Sequence, residues 1–163
     1  PYRRQRQMCI RDSYHIIYNK ALRDRVDKES SLSHYNSLNV LSMHALVGAY
    51  TQEGSDWVDE LRQTITGNVD YACGFIAQHF PGVVVTELEG TYLVWCDFRC
   101  FGMSDADMKV FLTDECMLYL DNGTDFGAAG SGYQRINVAC PRKTLADALD
   151  RFYQAARKRG MAR

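Results

Sequence analysis

The chain has 163 residues, of which 46% are apolar and 24% are charged, and its formal net charge at pH 7 is −1. This balance is typical of one globular domain or of a part of a larger protein. A charge so close to zero gives no electrostatic case for nucleic-acid binding, and no apolar run reaches the roughly 18 residues that a membrane span needs. We therefore expect neither nucleic acid nor a membrane as a partner.

The six cysteines do not predict a metal site. None of them forms a C-x-x-C pair, and none of the four histidines lies at ligand spacing from another. Most of the cysteines fall inside apolar patterns, which favours buried, reduced thiols and a cytoplasmic location. The cysteines are Cys9, Cys73, Cys96, Cys100, Cys116 and Cys140.

Residues 1–13 differ in character from everything that follows. They are basic, lack any hydrophobic period and end where a regular pattern begins. They also resemble a translated sequencing adaptor, so we expect a non-native arm and exclude it from the fold. The alternative is a native, disordered basic arm.

The first half of the chain is predicted to be mostly helical. Residues 14–18 are β-branched and aromatic and predict a short strand, residues 20–29 predict a surface helix, and residues 37–50 have helical spacing. Gly54 is expected to end that segment, and Ser55 to cap the next helix.

A long amphipathic helix is predicted from residue 56 to about residue 79, where Pro81 and Gly82 stop it. Its apolar positions are Trp57, Leu61, Ile65, Val69, Ala72, Cys73 and Ile76.

The second half is predicted to fold as β-β-α-β-β-α, a small α+β domain. The first two strands are expected at residues 83–85 and 91–98, and the third at 118–120 before a glycine-rich loop. Ser104 with Asp107 predicts the start of a helix that runs to about residue 117.

A last helix is predicted from a cap at Thr144, paired with Asp147, to a stop at Gly160. Its apolar stripe consists of Leu145, Ala148, Leu149, Phe152, Ala155 and Ala156.

The strand that follows the glycine-rich loop carries the main candidate for binding, Arg135. Strand alternation places Arg135 opposite a face that should pack on the core. The core-facing residues are Ile136, Val138 and Cys140, and the others are Tyr133, Arg135, Asn137 and Ala139. A guanidinium fits a carboxylate with two parallel hydrogen bonds, so Arg135 could bind the carboxylate of a small substrate. The alternative is a solvated or salt-bridged strand arginine.

Other chemistry is only weakly indicated. The loop from Gly123 to Gly132 lacks the spacing of a phosphate-binding loop, and its glycines are better explained by a close approach to a ligand or a neighbouring chain. No serine or cysteine lies on a recognisable nucleophile turn. Four tyrosines could donate hydrogen bonds in a site, although packing explains such residues better. They are Tyr14, Tyr18, Tyr92 and Tyr133.

Several runs of residues resemble one family. They are Glu89-Gly90-Thr91-Tyr92-Leu93-Val94-Trp95, Asp97-Phe98-Arg99, Asp121-Asn122-Gly123, Phe126-Gly127, Gly130, Gly132 and Arg135-Ile136-Asn137-Val138-Ala139-Cys140-Pro141-Arg142, with Ala49-Tyr50, Gly54, Trp57, Asp59 and Asn68 upstream. Together they resemble the C-terminal part of the fold type I, pyridoxal-phosphate-dependent class I/II aminotransferase superfamily. The most similar branch is the MalY/PatB-type cystathionine β-lyases, or C–S lyases, over residues 14–158.

The resemblance implies an α/β fold, a cytoplasmic homodimer and pyridoxal 5′-phosphate as cofactor. It also implies a lysine that forms a Schiff base with the cofactor, expected just before Tyr14, where residues 1–13 stand. Lys20 and Lys28 do not match that lysine. The residues that contact the cofactor are unknown, and Arg135 matches the arginine that binds the substrate α-carboxylate.

The activity implied is α,β-elimination from a sulfur-containing amino acid, giving a thiol, pyruvate and ammonia. The implied division is residues 14–54 as the end of the large cofactor-binding domain, 55–80 as a connecting helix and 81–163 as the small C-terminal domain. Two alternatives stay open: a class I/II aminotransferase, and a catalytically inactive fragment or binding module that lacks the Schiff-base lysine.

Overall fold

The computed structural model describes residues 16–33 and 40–163 and divides the chain into two units, one ending at Asp59 and one from Glu60 to Arg163. The first unit holds helices α1 (Lys20–Ser33) and α2 (Val40–Ala49), and the unit boundary falls within α3 (Gln52–His79). Both short helices were predicted. Residues 16–18 form no strand, so that part of the strand prediction is wrong. Residues 14–15 of the predicted strand and residues 37–39 of the second predicted helix lie outside the described residues, as do residues 1–13.

Helix α3 begins earlier than the sequence predicts. The hydroxyl of Thr51 accepts the backbone N–H of Gly54 at 3.2 Å and donates to the carbonyl of Gly48 at 2.8 Å. Thr51 therefore caps the helix, and a hydroxyl in that position satisfies an amide that has no partner in the first turn. The prediction that Gly54 ends one segment and Ser55 caps the next is wrong, because both residues lie inside the first turns of α3.

The second unit contains a four-stranded antiparallel sheet in the order β1-β2-β4-β3. Its strands are β1 (Val84–Val85), β2 (Leu93–Asp97), β3 (Asp121–Asn122) and β4 (Tyr133–Asn137). Arg135 lies in register with Trp95 on one side and with Asp121 on the other.

The predicted strand at residues 118–120 is wrong, since the strand begins at Asp121. The backbone N–H of Leu118 donates to the carbonyl of Leu112 at 2.9 Å, which ties the stretch to the preceding helical turn instead of the sheet. Met117 also has a φ of 53°, a conformation in which the chain leaves the helix sharply.

Two further helices complete the unit. Helix α4 (Asp105–Val110) continues as a π-helical turn over Phe111–Glu115, and the hydroxyl of Ser104 caps it by accepting the N–H of Asp107 at 3.1 Å, as predicted. Helix α5 (Arg142–Lys158) starts directly after Pro141, so the predicted cap at Thr144 is wrong. Proline has its φ fixed near the helical value, which lets the chain enter the helix three residues sooner.

The core lies between the helices and one face of the sheet. This inner face consists of Val94, Cys96, Gln134, Ile136 and Val138, which are all buried. Helices α3, α4 and α5 cover it, and the predicted stripe of α5 is confirmed, with Leu145, Leu149, Phe152, Ala155 and Ala156 buried. The stripe of α3 is buried at Ala72 and Ile76, whereas Trp57 in the first unit is 62% exposed.

The thiols of the described cysteines are all free. Burial raises the pKa of Cys96 and of Cys116 to about 12, which keeps both thiols protonated at neutral pH. These two thiols are buried, as predicted for most of the cysteines, whereas Cys73 and Cys140 are partly buried and Cys100 is exposed. Cys9 lies outside the described residues. Within residues 16–33 and 40–163, no helix is long and apolar enough to cross a membrane.

Candidate functional site

The candidate site is the face of the sheet opposite the core. Alternation along β2 and β4 turns Trp95, Asp97, Tyr133 and Arg135 to this side, and we call these four residues the outer face. All four side chains are partly exposed, in contrast to their buried neighbours in sequence. The predicted orientation of Arg135 is confirmed, whereas its role in binding stays a prediction.

Arg135 is held by two contacts. Its Nε and Nη2 atoms donate to a single oxygen of Asp121, Oδ2, at 3.0 and 2.7 Å. The ring of Phe126 lies under the guanidinium, with 4.4 Å between Cζ and the ring centroid. The Arg135 side chain is 28% exposed and that of Asp121 is 44% exposed, so the pair is accessible to a ligand. In this structure Arg135 is a salt-bridged strand arginine with part of its fork still accessible.

Aromatic rings border the guanidinium. Trp95, the register partner of Arg135, packs edge-on against Phe126 with centroids 5.7 Å apart. On its other side Trp95 stacks on Tyr133 at 5.6 Å. Such pairs of rings stabilise their relative positions beyond the area they bury. On the outer face, the guanidinium of Arg135 therefore lies beside a row of three packed aromatic rings.

A second ion pair lies at the Tyr133 end of this row of rings. Arg99 donates from Nε to Asp97 Oδ1 at 2.9 Å and from Nη2 to Asp97 Oδ2 at 2.6 Å. Its Nη2 also donates to the hydroxyl of Tyr133 at 3.2 Å. The hydrogen bonds from Arg99 hold the pKa of the Asp97 carboxyl below its usual value. Arg99 thus engages both oxygens of its carboxylate and the hydroxyl of Tyr133, whereas Arg135 engages a single oxygen of Asp121.

In the glycine-rich connection between β3 and β4, two glycines approach each other closely, whereas an approach to a ligand or a neighbouring chain stays a prediction. A Cβ atom on Gly123 or on Gly130 would collide with the carbonyl oxygen of the other residue. Gly132 has a φ of 79°, and a Cβ there would meet the side chain of Arg99. Asp105 fixes the end of the connection, accepting the hydroxyl of Ser131 at 2.6 Å and the N–H of Gly132 at 2.8 Å. These contacts set where β4 begins.

The other end of β4 is tied to the long helix. The side-chain amide of Asn68, which is 1% exposed, donates to the carbonyls of Val138 at 2.9 Å and Cys140 at 2.8 Å. Arg142 lies over the ring of Tyr71, also on α3, at 4.7 Å. Both ends of the strand that carries Arg135 are therefore anchored.

Other candidate residues do not join this face. Tyr18 is 91% exposed in the first unit, and Tyr14 lies outside the described residues. Tyr92 helps line an open groove of about 430 Å³ between α3 and the segment before β2, a groove that does not include Arg135. Among the described residues, no three His, Cys, Asp or Glu side chains are placed to hold a metal ion.

Comparison with known proteins gives relatives over most of the chain. No family model matches. The chain is 31% identical over 140 residues to cystathionine β-lyase PatB of Bacillus subtilis, which covers 86% of this chain and 36% of PatB. It is 29% identical over 138 residues to protein MalY of Escherichia coli, covering 84% of this chain and 35% of MalY. The chain is a homologue of the MalY/PatB-type cystathionine β-lyases. It spans about a third of the length of these curated relatives.

Solved structures place the fold in the same superfamily. Cystalysin from Treponema denticola, a structure that contains pyridoxal 5′-phosphate, matches with a TM-score of 0.82 and 29% identity over 88% of this chain and 36% of its own. A putative aminotransferase from Clostridium difficile 630, bound to the same cofactor, matches with a TM-score of 0.81 and 33% identity. The match covers 86% of this chain and 36% of the aminotransferase. The fold type I, α/β assignment is therefore confirmed.

On the outer face of the second unit, the structure describes no lysine. The three lysines of the second unit, Lys109, Lys143 and Lys158, are exposed on helices that pack against the inner face. In the glycine-rich connection, the amides of Gly127, Gly130 and Ser131 already donate within its turns. Neither a Schiff-base lysine nor a phosphate cradle is present on the outer face.

The sequence alone predicts Arg135 as a candidate, but it does not predict which residues surround it. Asp121 was assigned to a loop because the third strand was predicted three residues too early, so its pairing with β4 was not foreseen. In the sequence, Phe126 and Trp95 stand out only as parts of the runs that resemble the family. The register between β2 and β4 is what brings them to Arg135, and that pairing is non-local information.

Proposed function

We propose that this chain is part of a pyridoxal-phosphate-dependent carbon–sulfur β-lyase of the cystathionine β-lyase type. The substrate would be a sulfur-containing amino acid, cleaved by α,β-elimination to a thiol, pyruvate and ammonia. The relatives PatB and MalY support the lyase branch. A cytoplasmic homodimer is part of the same proposal.

The domain division is also proposed. Residues 14–54 would belong to the end of the large cofactor-binding domain, residues 55–80 would connect the domains and residues 81–163 would form the small domain. The observed bounds of α3, Gln52–His79, support the middle segment.

The observation that carries the proposal is the state of Arg135 on the outer face. Its guanidinium is fixed by Asp121 and Phe126, and its Nη1 atom makes no hydrogen bond within the described residues. A planar cation with an accessible edge, beside the ring of Trp95, fits a small molecule that carries a carboxylate. A single arginine on an anchored strand also provides one defined binding direction.

Arg135 would bind the substrate α-carboxylate and orient the substrate, leaving the bond-breaking chemistry to the cofactor. Pyridoxal phosphate, when bound, supplies the electron sink for loss of the α-proton. Correct orientation of a bound reactant is worth several orders of magnitude in rate. Among the described residues, the role proposed for Arg135 is substrate binding.

An aminotransferase is the second candidate, favoured by the match to the Clostridium difficile structure. It would use Arg135 in the same way and differ in the fate of the amino group. A third possibility, an inactive fragment or binding module, rests on the lack of a lysine on the outer face.

The test uses the protein expressed from its complete gene. Cofactor binding is read from visible absorbance, and L-cystathionine is then supplied with and without a keto acid. The lyase proposal expects release of pyruvate without a keto acid. Transfer of the amino group to the keto acid, with no elimination, would favour the aminotransferase, and lack of any cofactor absorbance would overturn both.

Arginine variants make the test specific to this face. Arg135→Ala should abolish most of the activity. Arg99→Ala is the matched control, since Arg99 is also a cation of this region but binds both oxygens of Asp97 and the hydroxyl of Tyr133. Equal losses in both variants would contradict a special role for Arg135.

A further inference from the structure

Asp121 engages only one edge of the Arg135 guanidinium. Both of its hydrogen bonds, from Nε at 3.0 Å and from Nη2 at 2.7 Å, end on the single oxygen Oδ2. A guanidinium has a side edge formed by Nε and one terminal nitrogen, and an end edge formed by its two terminal nitrogens. The end edge shares Nη2 with the side edge, and its other nitrogen, Nη1, has no hydrogen-bond partner among the described residues.

Contact with Phe126 further restricts the Arg135 side chain. Its ring lies against the flat face of the guanidinium at 4.4 Å, which prevents rotation out of plane. Arginine has a flexible stem that costs up to about 2 kcal/mol of rotamer entropy to order. Asp121 and Phe126 therefore order this side chain before any ligand arrives.

We propose that Asp121 is a positioning residue, which holds Arg135 by its side edge so that the end edge is presented to the α-carboxylate of the substrate. This inference rests on the proposed function, because it assumes that Arg135 binds that carboxylate. Asp121 itself would touch neither the substrate nor the reacting atoms. Its contribution is to the affinity of the site and not to the chemical step.

An opposite role for Asp121 would be competition, in which its carboxylate occupies the guanidinium and must leave before substrate binds. The geometry favours positioning, since one oxygen takes the side edge and leaves the end edge available. The two roles differ in sign. Loss of a positioning carboxylate weakens substrate binding, whereas loss of a competing carboxylate strengthens it.

The experiment measures kcat and KM for L-cystathionine in the protein from the complete gene, comparing Asp121→Asn with wild type. We expect KM to rise about tenfold and kcat to change less than about twofold, as for loss of one charge-assisted contact. Asp125→Asn is the matched control. Asp125 is an exposed carboxylate in the same connection with no hydrogen bond to a described residue, so its KM should match wild type.

Two more variants separate the possible failures. Asp121→Glu returns a carboxylate and should recover most of the lost affinity, which a purely structural defect would not do. Unchanged or lower KM in Asp121→Asn, or a rise of equal size in Asp125→Asn, would overturn the positioning role. If Arg135→Ala also leaves KM unchanged, carboxylate binding by Arg135 itself is wrong, and the role of Asp121 falls with it.

Discussion

The inner and outer faces of the sheet are built by the same strands and differ in almost every physical respect. In β4, Gln134 and Ile136 lie at 0% and 7% exposure, while Arg135 between them reaches an ion pair and an aromatic ring on the other side. Strand alternation is the whole cause of this separation. Residues one position apart along the strand therefore serve stability on the inner side and, in our proposal, binding on the outer side.

The largest effect is expected from truncation of the inner side. Phe152 is 3% exposed, stacks on Phe80 at 4.6 Å and meets Phe98 edge-on at 5.6 Å. Phe152→Ala should lower the free energy of unfolding by about 3–5 kcal/mol, measured by urea denaturation. Tyr119→Ala, at a position 83% exposed, is the control and should change it by less than about 0.5 kcal/mol. Similar values for the two variants would contradict the assigned core.

A smaller loss is expected where the long helix holds the end of β4. Asn68→Ala removes the donors to the carbonyls of Val138 and Cys140. The Val138 oxygen keeps the backbone N–H of Cys140 at 2.9 Å, so the loss falls mainly on the Cys140 oxygen. An unpaired buried group costs about 1–3 kcal/mol, so the free energy of unfolding should fall by about 1–3 kcal/mol. Hydrogen exchange at the amide of Ala139 should accelerate in parallel. A variant as stable as wild type would show that the tie is not needed.

The outer face should contribute far less to stability. Arg135→Ala breaks a half-exposed ion pair with Asp121, and such pairs are worth about 0–1 kcal/mol. We therefore expect nearly the same urea midpoint as wild type, although ligand binding is lost. A loss as large as that of Phe152→Ala would break the distinction between the two faces.

The smallest expected effect is a pKa change at Asp97. Arg99→Ala removes the hydrogen bonds that lower the pKa of this carboxyl, so its pKa should rise toward the ordinary value, read by carbon NMR during titration. A depressed pKa in the folded state contributes stability above the unfolded-state value of about 3.9, and this is lost as pH falls through the folded-state pKa. Wild type should therefore lose more stability on acidification than Arg99→Ala. An unchanged Asp97 pKa would contradict the assigned pair.

Local patterns were enough to predict most elements of the second unit. The stripe of α5, the cap at Ser104 and the alternation around Arg135 each depend on a few neighbouring residues, and the structure contains all three. Their physics is short-range, because caps and periodic burial are decided within one or two turns. The orientation of Arg135 could be predicted for the same reason.

The errors come from contacts between distant residues. The third strand was misplaced because Leu118 is bonded back to Leu112, and no propensity in residues 118–120 signals that bond. That error hid Asp121, whose position opposite Arg135 depends on sheet register. The start of α5 was missed because Thr144 offers a good cap signal that the entry at Pro141 makes unnecessary.

The central claim is that the outer face binds a carboxylate through Arg135. The most direct measurement compares L-cystathionine with the methyl ester of the α-carboxylate on its cysteine half. Both would be assayed with wild type, Arg135→Ala and Arg135→Lys in the protein from the complete gene. We predict a loss of kcat/KM on the order of a hundredfold for the acid in Arg135→Ala, partial retention in Arg135→Lys, and little change for the ester. Equal losses for acid and ester would contradict the claim.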